Sequence, residues 1–169
     1  MKKIFLLAAA LFITTGVFAQ KYAFINTELI FKAIPQYNSA IEELDKLTQT
    51  YRDQIDAQYD KISEMYDRYQ FQKSNLSETA RQRVEDNIIT LEQELEVAQE
   101  EYFGMEGRVM KRRIELLRPI QERVFTAIDN IAKSGDYDMI IDIANSASIV
   151  YYNQTLDITQ DILKSLGIQ

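Results

Sequence analysis

The 169-residue chain has no cysteine and no histidine, and it has only five glycines and two prolines. Without thiols and imidazoles, it cannot use a cysteine nucleophile, a histidine base or the usual zinc ligands. So few glycines also leave no glycine-rich loop for a phosphate group. We therefore expect no enzyme activity, no cofactor and no metal site.

Three aspartates near the C-terminal end form the best candidate for a divalent cation or small-ligand site: Asp136, Asp138 and Asp142. Carboxylate oxygens suit calcium, but the spacing of these residues matches no EF-hand loop. Acidic residues at the start of a strand also form turns and protect a sheet edge. We favour this structural interpretation.

Acidic residues outnumber basic ones by 26 to 19, for a net charge of −7.

The first nineteen residues combine Lys2 and Lys3 with a mainly apolar stretch, 4–17, and end in Val17-Phe18-Ala19. The stretch is shorter than the ~20 residues of a membrane-spanning helix, so we expect a secretory signal cleaved before Gln20. The exported chain would have no membrane span. With 17 basic and 26 acidic residues, a charge of −9, it is not expected to bind nucleic acid.

The middle of the chain predicts two long helices. Between Gln36 and Phe103 there is no glycine or proline, and apolar residues recur every three then four positions in two runs. The first run is Ile41, Leu44, Thr48, Tyr51, Ile55, Gln58, Ile62, Met65 and Tyr69. The second is Val84, Ile88, Leu91, Leu95, Ala98, Tyr102, Met105, Val109, Arg112 and Leu116. Such a stripe can be buried only by another helix, so we predict an antiparallel, coiled-coil-like hairpin arm over 36–118, with its tip near 74–77.

Both ends of the chain predict a small β-sheet body, formed by residues 20–35 and 119–169. We expect strands at 21–25, 137–143 and 149–152, a short helix at 28–34, and a turn at 145–148. The returning helix should pass Gly104 and Gly107 with reduced stiffness, bend at Pro119 and end near Gly135. A last helix is expected at 157–166. The predicted fold class is α+β. Because three short strands cannot close a sheet and open edges invite pairing, we expect a homo-oligomer joined through the bodies.

Large apolar residues that lie off the two seams are the candidate binding residues: Tyr59, Tyr66, Phe71, Ile89, Val97 and Phe103. Exposed apolar side chains are typical of a binding surface, although they could also pack on neighbouring arms. Basic residues cluster at the tip, as Arg68, Lys73, Arg81 and Arg83, whereas 84–107 contains eight acidic residues and no basic one. This pattern is either a solvated face or a means of orienting a charged partner.

The chain resembles the OmpH/Skp family of periplasmic chaperones for outer-membrane proteins. The resemblance rests on the order of several segments: Tyr22-Ala23-Phe24-Ile25-Asn26, Ile34-Pro35, the long hairpin, Leu117-Arg118-Pro119-Ile120, Tyr137-Asp138-Met139-Ile140-Ile141-Asp142 and Asp157-Ile158-Thr159. It implies a trimer in which a small β body holds three helical arms around a cavity. This chain is acidic, whereas the best-known members are strongly basic.

The resemblance also implies an ATP-independent holdase in the periplasm, which binds unfolded outer-membrane β-barrel proteins and prevents their aggregation. The alternative from another class is a structural coiled-coil spacer or adaptor that docks on an envelope protein complex.

Overall fold

The computed structural model describes residues 20–144, 146 and 148–168. The predicted signal segment, 1–19, and two residues of the predicted turn at 145–148 lie outside the described residues. The described chain divides into two compact units: the hairpin unit, Ile34–Arg123, and the terminal unit, formed by residues 20–33 and 124–168. Among the helices described, none combines the length and the hydropathy that crossing a membrane requires.

The chain has the α+β fold predicted for it, with a long helical hairpin and a small pair of strands. In chain order the elements are β1 (Tyr22–Ile25), α1 (Thr27–Lys32), α2 (Pro35–Gln72), α3 (Glu78–Phe103), α4 (Arg108–Ser134), β2 (Met139–Asp142) and α5 (Thr159–Ser165), with 3-10 turns at Lys73–Asn75 and Gln154–Leu156.

Local signals place both ends of the hairpin. Pro35 occupies the first turn of α2, after an extended Ile34, where its missing N–H costs no helical hydrogen bond. At the other end, the Ser77 hydroxyl accepts a hydrogen bond from the Ala80 N–H at 3.3 Å, and Glu78 lies in the first turn of α3. A serine cap followed by an acid is a strong helix start. The chain therefore reverses between α2 and α3, through the 3-10 turn Lys73–Asn75 and the Ser77 cap.

The two seams pack against each other as predicted. Near the tip, Ile62 and Tyr69 of α2 are buried with Ile88 and Leu95 of α3. Further along, the rings of Tyr51 and Tyr102 stack with centroids 4.2 Å apart. A third cluster buries Ala40 and Leu44 of α2 with Leu117 of α4. Because these clusters recur along the helices, the hairpin is held by burial of apolar side chains between helices.

The returning half of the hairpin is interrupted between α3 and α4, where only a loss of stiffness was expected. The Gly107 N–H donates to the Gly104 carbonyl at 2.9 Å, and a Cβ on Gly107 would lie 2.9 Å from the Tyr102 carbonyl oxygen. This close approach requires glycine. It also takes Met105 off the predicted seam, where its side chain is 90% exposed. Pro119 lies inside α4, and the helix continues past it as predicted.

In the terminal unit, β1 and β2 form a two-stranded parallel sheet, with Tyr22 opposite Met139 and Ile25 opposite Asp142. Ile30 of α1, Val124 of α4 and Ile162 of α5 are completely buried. The sheet and the three helices therefore contribute to a small apolar core.

Two of the three clustered aspartates accept hydrogen bonds within the terminal unit. The Lys21 N–H donates to Asp138 at 2.8 Å, and Thr27 donates its N–H and its hydroxyl to Asp142 at 3.1 and 2.6 Å. Partial burial acts to raise the pKa of Asp142, but the bonds from Thr27 and from the Ala144 N–H outweigh it and lower that pKa. Asp136 adopts a left-handed turn conformation, with φ of 49°.

The predicted strand at 149–152 was wrong. These residues have no regular secondary structure, and Val150 and Tyr151 are 97% and 87% exposed. Aromatic and β-branched residues favour a strand only where a neighbouring strand supplies backbone partners and packing. The described residues of this chain supply no such neighbour to 149–152.

Two residues on α3 test the seam as the source of stability. We expect Leu95→Ala to lower the free energy of unfolding by about 2–4 kcal/mol, because it leaves a cavity in the buried cluster. Val97→Ala, two positions away at an exposed site, should change it by less than about 0.5 kcal/mol. Urea unfolding followed by circular dichroism measures both. Equal losses of unfolding free energy in the two variants would contradict the seam as the source of stability.

Candidate binding surface

All six residues proposed from the sequence to bind a partner lie in α2 and α3, and all are exposed. Their exposed fractions run from 41% for Phe103 to 86% for Phe71. None of them is needed to fill the buried cluster of the hairpin. Their side chains are therefore available to a partner in the single chain.

Four of the six share one face of the hairpin, which we call the Tyr66 face: Tyr59, Tyr66, Ile89 and Phe103. Tyr66 and Ile89, each 51% exposed, line the same shallow groove between α2 and α3. Tyr59 precedes Tyr66 by seven positions and Phe103 follows Ile89 by fourteen, so helical periodicity returns both to the sides of their helices that border this groove.

Phe71 and Val97 lie away from this face. Phe71 is five positions after Tyr66, which turns it about 140° around α2, and Val97 is turned about 80° from Ile89 around α3. The sequence-based set therefore divides into one shared face and two separate exposed side chains.

Tyr69 forms the floor of the groove and is only 5% exposed. Its hydroxyl donates a hydrogen bond to the Glu85 carboxylate, and the Lys73 ammonium lies 5.3 Å from the centre of its ring. The hydrogen bond to Glu85, followed by burial of the phenol, raises the pKa of Tyr69 to about 12. Tyr69 therefore remains a neutral donor that joins α2 to α3.

The four basic residues proposed at the tip have two different environments. Arg81 donates to the Lys73 carbonyl at 2.9 Å and lies 3.7 Å from Glu78, while Lys73 lies 3.9 Å from Glu85. Arg68 and Arg83 form no ion pair within the part of the chain that the structure describes. Two of the four cations are thus tied to the fold of the tip, and two are solvated.

The acidic run at 84–107 was noted from the sequence, but not which of its carboxylates share the Tyr66 face. Glu92, Glu96 and Glu100 follow Ile89 at three, seven and eleven positions, so they share its side of α3. Glu92 lines the same groove as Tyr66. The spacing was visible in the sequence, but the face they share with Tyr66 is set by how α3 packs on α2.

A second group missed from the sequence fixes Phe103. Its ring packs edge-on against both Tyr51 and Tyr102, with centroids 6.4 Å apart in each case. Arg108 lies 5.6 Å from the centre of the Tyr102 ring and forms an ion pair with Glu101. Phe103 is therefore a partly exposed ring held in place by aromatic neighbours.

Residues 21–166 match the family described as outer membrane protein (OmpH-like). This match covers most of the chain, including the hairpin and both ends of the terminal unit. The chain belongs to the OmpH family.

This OmpH-family member is similar in sequence to one known protein and in fold to another. It is similar to the chaperone protein Skp of Yersinia enterocolitica, with 24% identity over 160 residues, covering 95% of this chain and 94% of that protein. Its fold is similar to the crystal structure of an OmpH-like protein from Caulobacter crescentus, with a TM-score of 0.64 and 10% identity, over 90% and 87% of the two chains. The hairpin with its small strand pair is thus the fold of a family that includes a chaperone.

The raised pKa of Tyr69 predicts how hairpin stability depends on pH. A phenol whose pKa is higher in the folded state contributes stability below pH 10, its ordinary pKa, and loses it as the pH rises toward about 12. Tyr69→Phe should therefore be less stable than the unaltered protein at neutral pH, and the difference should shrink above pH 10. Urea midpoints at several pH values measure this. Tyr66→Phe is the matched control and should have no such effect; equal midpoints for Tyr69→Phe and the unaltered protein at neutral pH would contradict the account.

Proposed function

We propose that this OmpH-family chain is an ATP-independent periplasmic holdase, which binds unfolded outer-membrane β-barrel proteins and prevents their aggregation. Three observations support this function: the family, the chaperone relative in Yersinia enterocolitica, and the exposed apolar residues of the hairpin. The proposal includes export by the N-terminal signal segment.

The observation that carries the proposal is the Tyr66 face. Two tyrosines, an isoleucine and a phenylalanine are 41–64% exposed there, although the hairpin already buries its own seam. Tyrosine suits the recognition of varied apolar segments because its ring is large and rigid and its hydroxyl tolerates water. A rigid spacer would not need such residues on a solvent-facing surface.

Each contact on this face is weak by itself, since the side chains are only partly exposed. Several copies of the face acting on one unfolded chain would raise the effective affinity while each contact stays exchangeable. Release follows when the client buries its own apolar surface in its folded state. This scheme needs no nucleotide and no catalytic residue.

We also propose that the protein is a homo-oligomer joined through the terminal units, with the trimer as the number that the family resemblance implies. Met139 on β2 is 59% exposed, and Val150 and Tyr151 are almost completely exposed. A short sheet with exposed apolar residues beside it is typically covered by another chain.

The tip cations have a separate role in this proposal. Arg68, Lys73, Arg81 and Arg83 steer anionic parts of a client toward the hairpin. Steering by exposed charges acts over about one Debye length, roughly 10 Å at 0.1 M salt. The solvated pair, Arg68 and Arg83, should contribute most.

Aggregation of a denatured β-barrel protein diluted from urea tests the holdase function. We expect the protein to suppress light scattering at substoichiometric amounts. Tyr66→Ser with Ile89→Ser should weaken client affinity about tenfold, because two half-buried contacts worth about 1–2 kcal/mol together are lost. Titration of the scattering signal measures the change.

Phe71→Ser with Val97→Ser is the matched control, since it also removes one aromatic and one aliphatic exposed residue. These residues do not share a face, so the loss should be smaller. Full aggregation in the presence of excess unaltered protein would contradict the holdase function, and equal losses in the two variants would contradict the Tyr66 face.

Substitutions confined to the terminal unit of the full-length protein test the oligomer. Val150→Asp with Tyr151→Asp should shift the protein toward the monomer in sedimentation experiments, because two charges would be buried without partners. Tyr59→Asp, on the hairpin, should leave the oligomer intact. A monomeric unaltered protein at micromolar concentration would contradict the proposal.

A further inference from the structure

The Tyr66 face combines apolar side chains with carboxylates in a regular order. Along α3, Ile89, Glu92, Glu96, Glu100 and Phe103 occupy one stripe about 80° wide. Tyr66, across the groove, lies beside Glu92. A segment that contacts Ile89 and Phe103 on this stripe must therefore pass three carboxylates.

These carboxylates are not neutralised by the protein itself. Of the eight acidic residues at 85–106, only Glu85 and Glu101 form ion pairs within the residues that the structure describes. Glu92, Glu96 and Glu100 are exposed and form none there. Their charge is thus available to a bound partner.

The surrounding part of the hairpin also carries a net negative charge. Residues 51–103 contain thirteen acidic and six basic side chains, and the basic ones include the four at the tip. A client segment with acidic side chains would meet like charges on this face, whereas lysine or arginine side chains would meet unpaired carboxylates.

We infer that the Tyr66 face selects cationic segments of unfolded polypeptide, in which apolar side chains alternate with lysine or arginine. The inference rests on the proposed holdase function and names the class of segment that this surface prefers. In an extended segment, alternate side chains point to opposite sides, so the apolar ones can face Ile89 and Phe103. Lysine and arginine side chains are long enough to curl around the segment and bring their charged ends to the carboxylates.

Arginine gains a further contact on this face. A guanidinium can stack on the exposed rings of Tyr59 and Tyr66 while it pairs with Glu92 or Glu96. A neutral segment of equal apolar content gains neither interaction. Selectivity by charge is therefore an addition to apolar binding and does not replace it.

The test uses three synthetic peptides of about 20 residues, a length that stays unfolded when apolar and polar residues alternate without a partner sheet. They share the same tyrosines and valines and carry lysine, glutamine or glutamate at the alternate positions. Fluorescence anisotropy with the full-length protein measures affinity at about 50 mM and about 500 mM salt, which changes the screening length about threefold.

We expect the lysine peptide to bind about tenfold more tightly than the glutamine peptide at low salt, since three exposed ion pairs contribute roughly twofold each. The glutamate peptide should bind most weakly. At high salt the three affinities should converge. Glu92→Gln with Glu96→Gln and Glu100→Gln should remove the preference for lysine, so that the lysine and glutamine peptides bind this variant with similar affinity.

A matched variant removes the same number of charges from another face. Asp60, Glu64 and Asp67 are exposed on α2 and lie at least about 100° around the helix from Tyr66. Their replacement by the corresponding amides should retain most of the lysine preference. If both variants lose it equally, net charge and not the Tyr66 face sets the selectivity, and the inference is overturned.

The other outcomes are also decisive. Equal affinities for the three peptides at low salt would overturn charge selectivity but leave the holdase function in place. Binding of none of the three peptides would overturn both the inference and the proposed function.

Discussion

Burial of one apolar stripe by another is the constraint on which the rest of the hairpin depends. Neither α2 nor α3 has a second apolar side broad enough to be buried alone, and the side chains that pack between them recur every three or four residues. Because the stripe is narrow, the two helices must run side by side over most of their length. The chain reversal at Ser77 makes this pairing local in sequence.

A narrow seam leaves much of each helix surface in contact with solvent, and the candidate binding residues lie on this surface. A compact domain would bury Tyr66 and Ile89 in its interior, whereas the hairpin keeps them half-exposed beside a groove. The bond between Tyr69 and Glu85 fixes the groove from below. Stability and the proposed binding thus use different faces of the same two helices, so we expect that each can be altered separately.

The hairpin could be predicted from the sequence because its determinants are local: periodicity, Pro35 at one start and Ser77 at the other. The same reasoning failed at 149–152, because strand formation depends on a partner that the sequence pattern does not reveal. It also missed the end of α3 before Gly104 and the exposure of Met105 that follows.

For the candidate binding residues, too, the sequence predicted local features but not the contacts between elements. Their exposure follows from lying off the seam, so periodicity was sufficient to select them. Which of them share a face depends on the contact between α2 and α3, since Tyr66 and Ile89 come from different helices. The acidic stripe at Glu92, Glu96 and Glu100 became significant only when that contact placed it beside Tyr66.

The distance between the two helices tests the account most directly. Spin labels attached to cysteines introduced at Thr50 and Gln99, both exposed in a chain that has no cysteine of its own, report this distance by pulsed electron paramagnetic resonance. Paired helices with axes about 8–10 Å apart predict a separation within one chain of less than about 25 Å, including the labels. If the helices did not double back, the 49 positions between the labels would span about 70 Å. A separation near that value would contradict the hairpin, and with it the Tyr66 face proposed to bind clients.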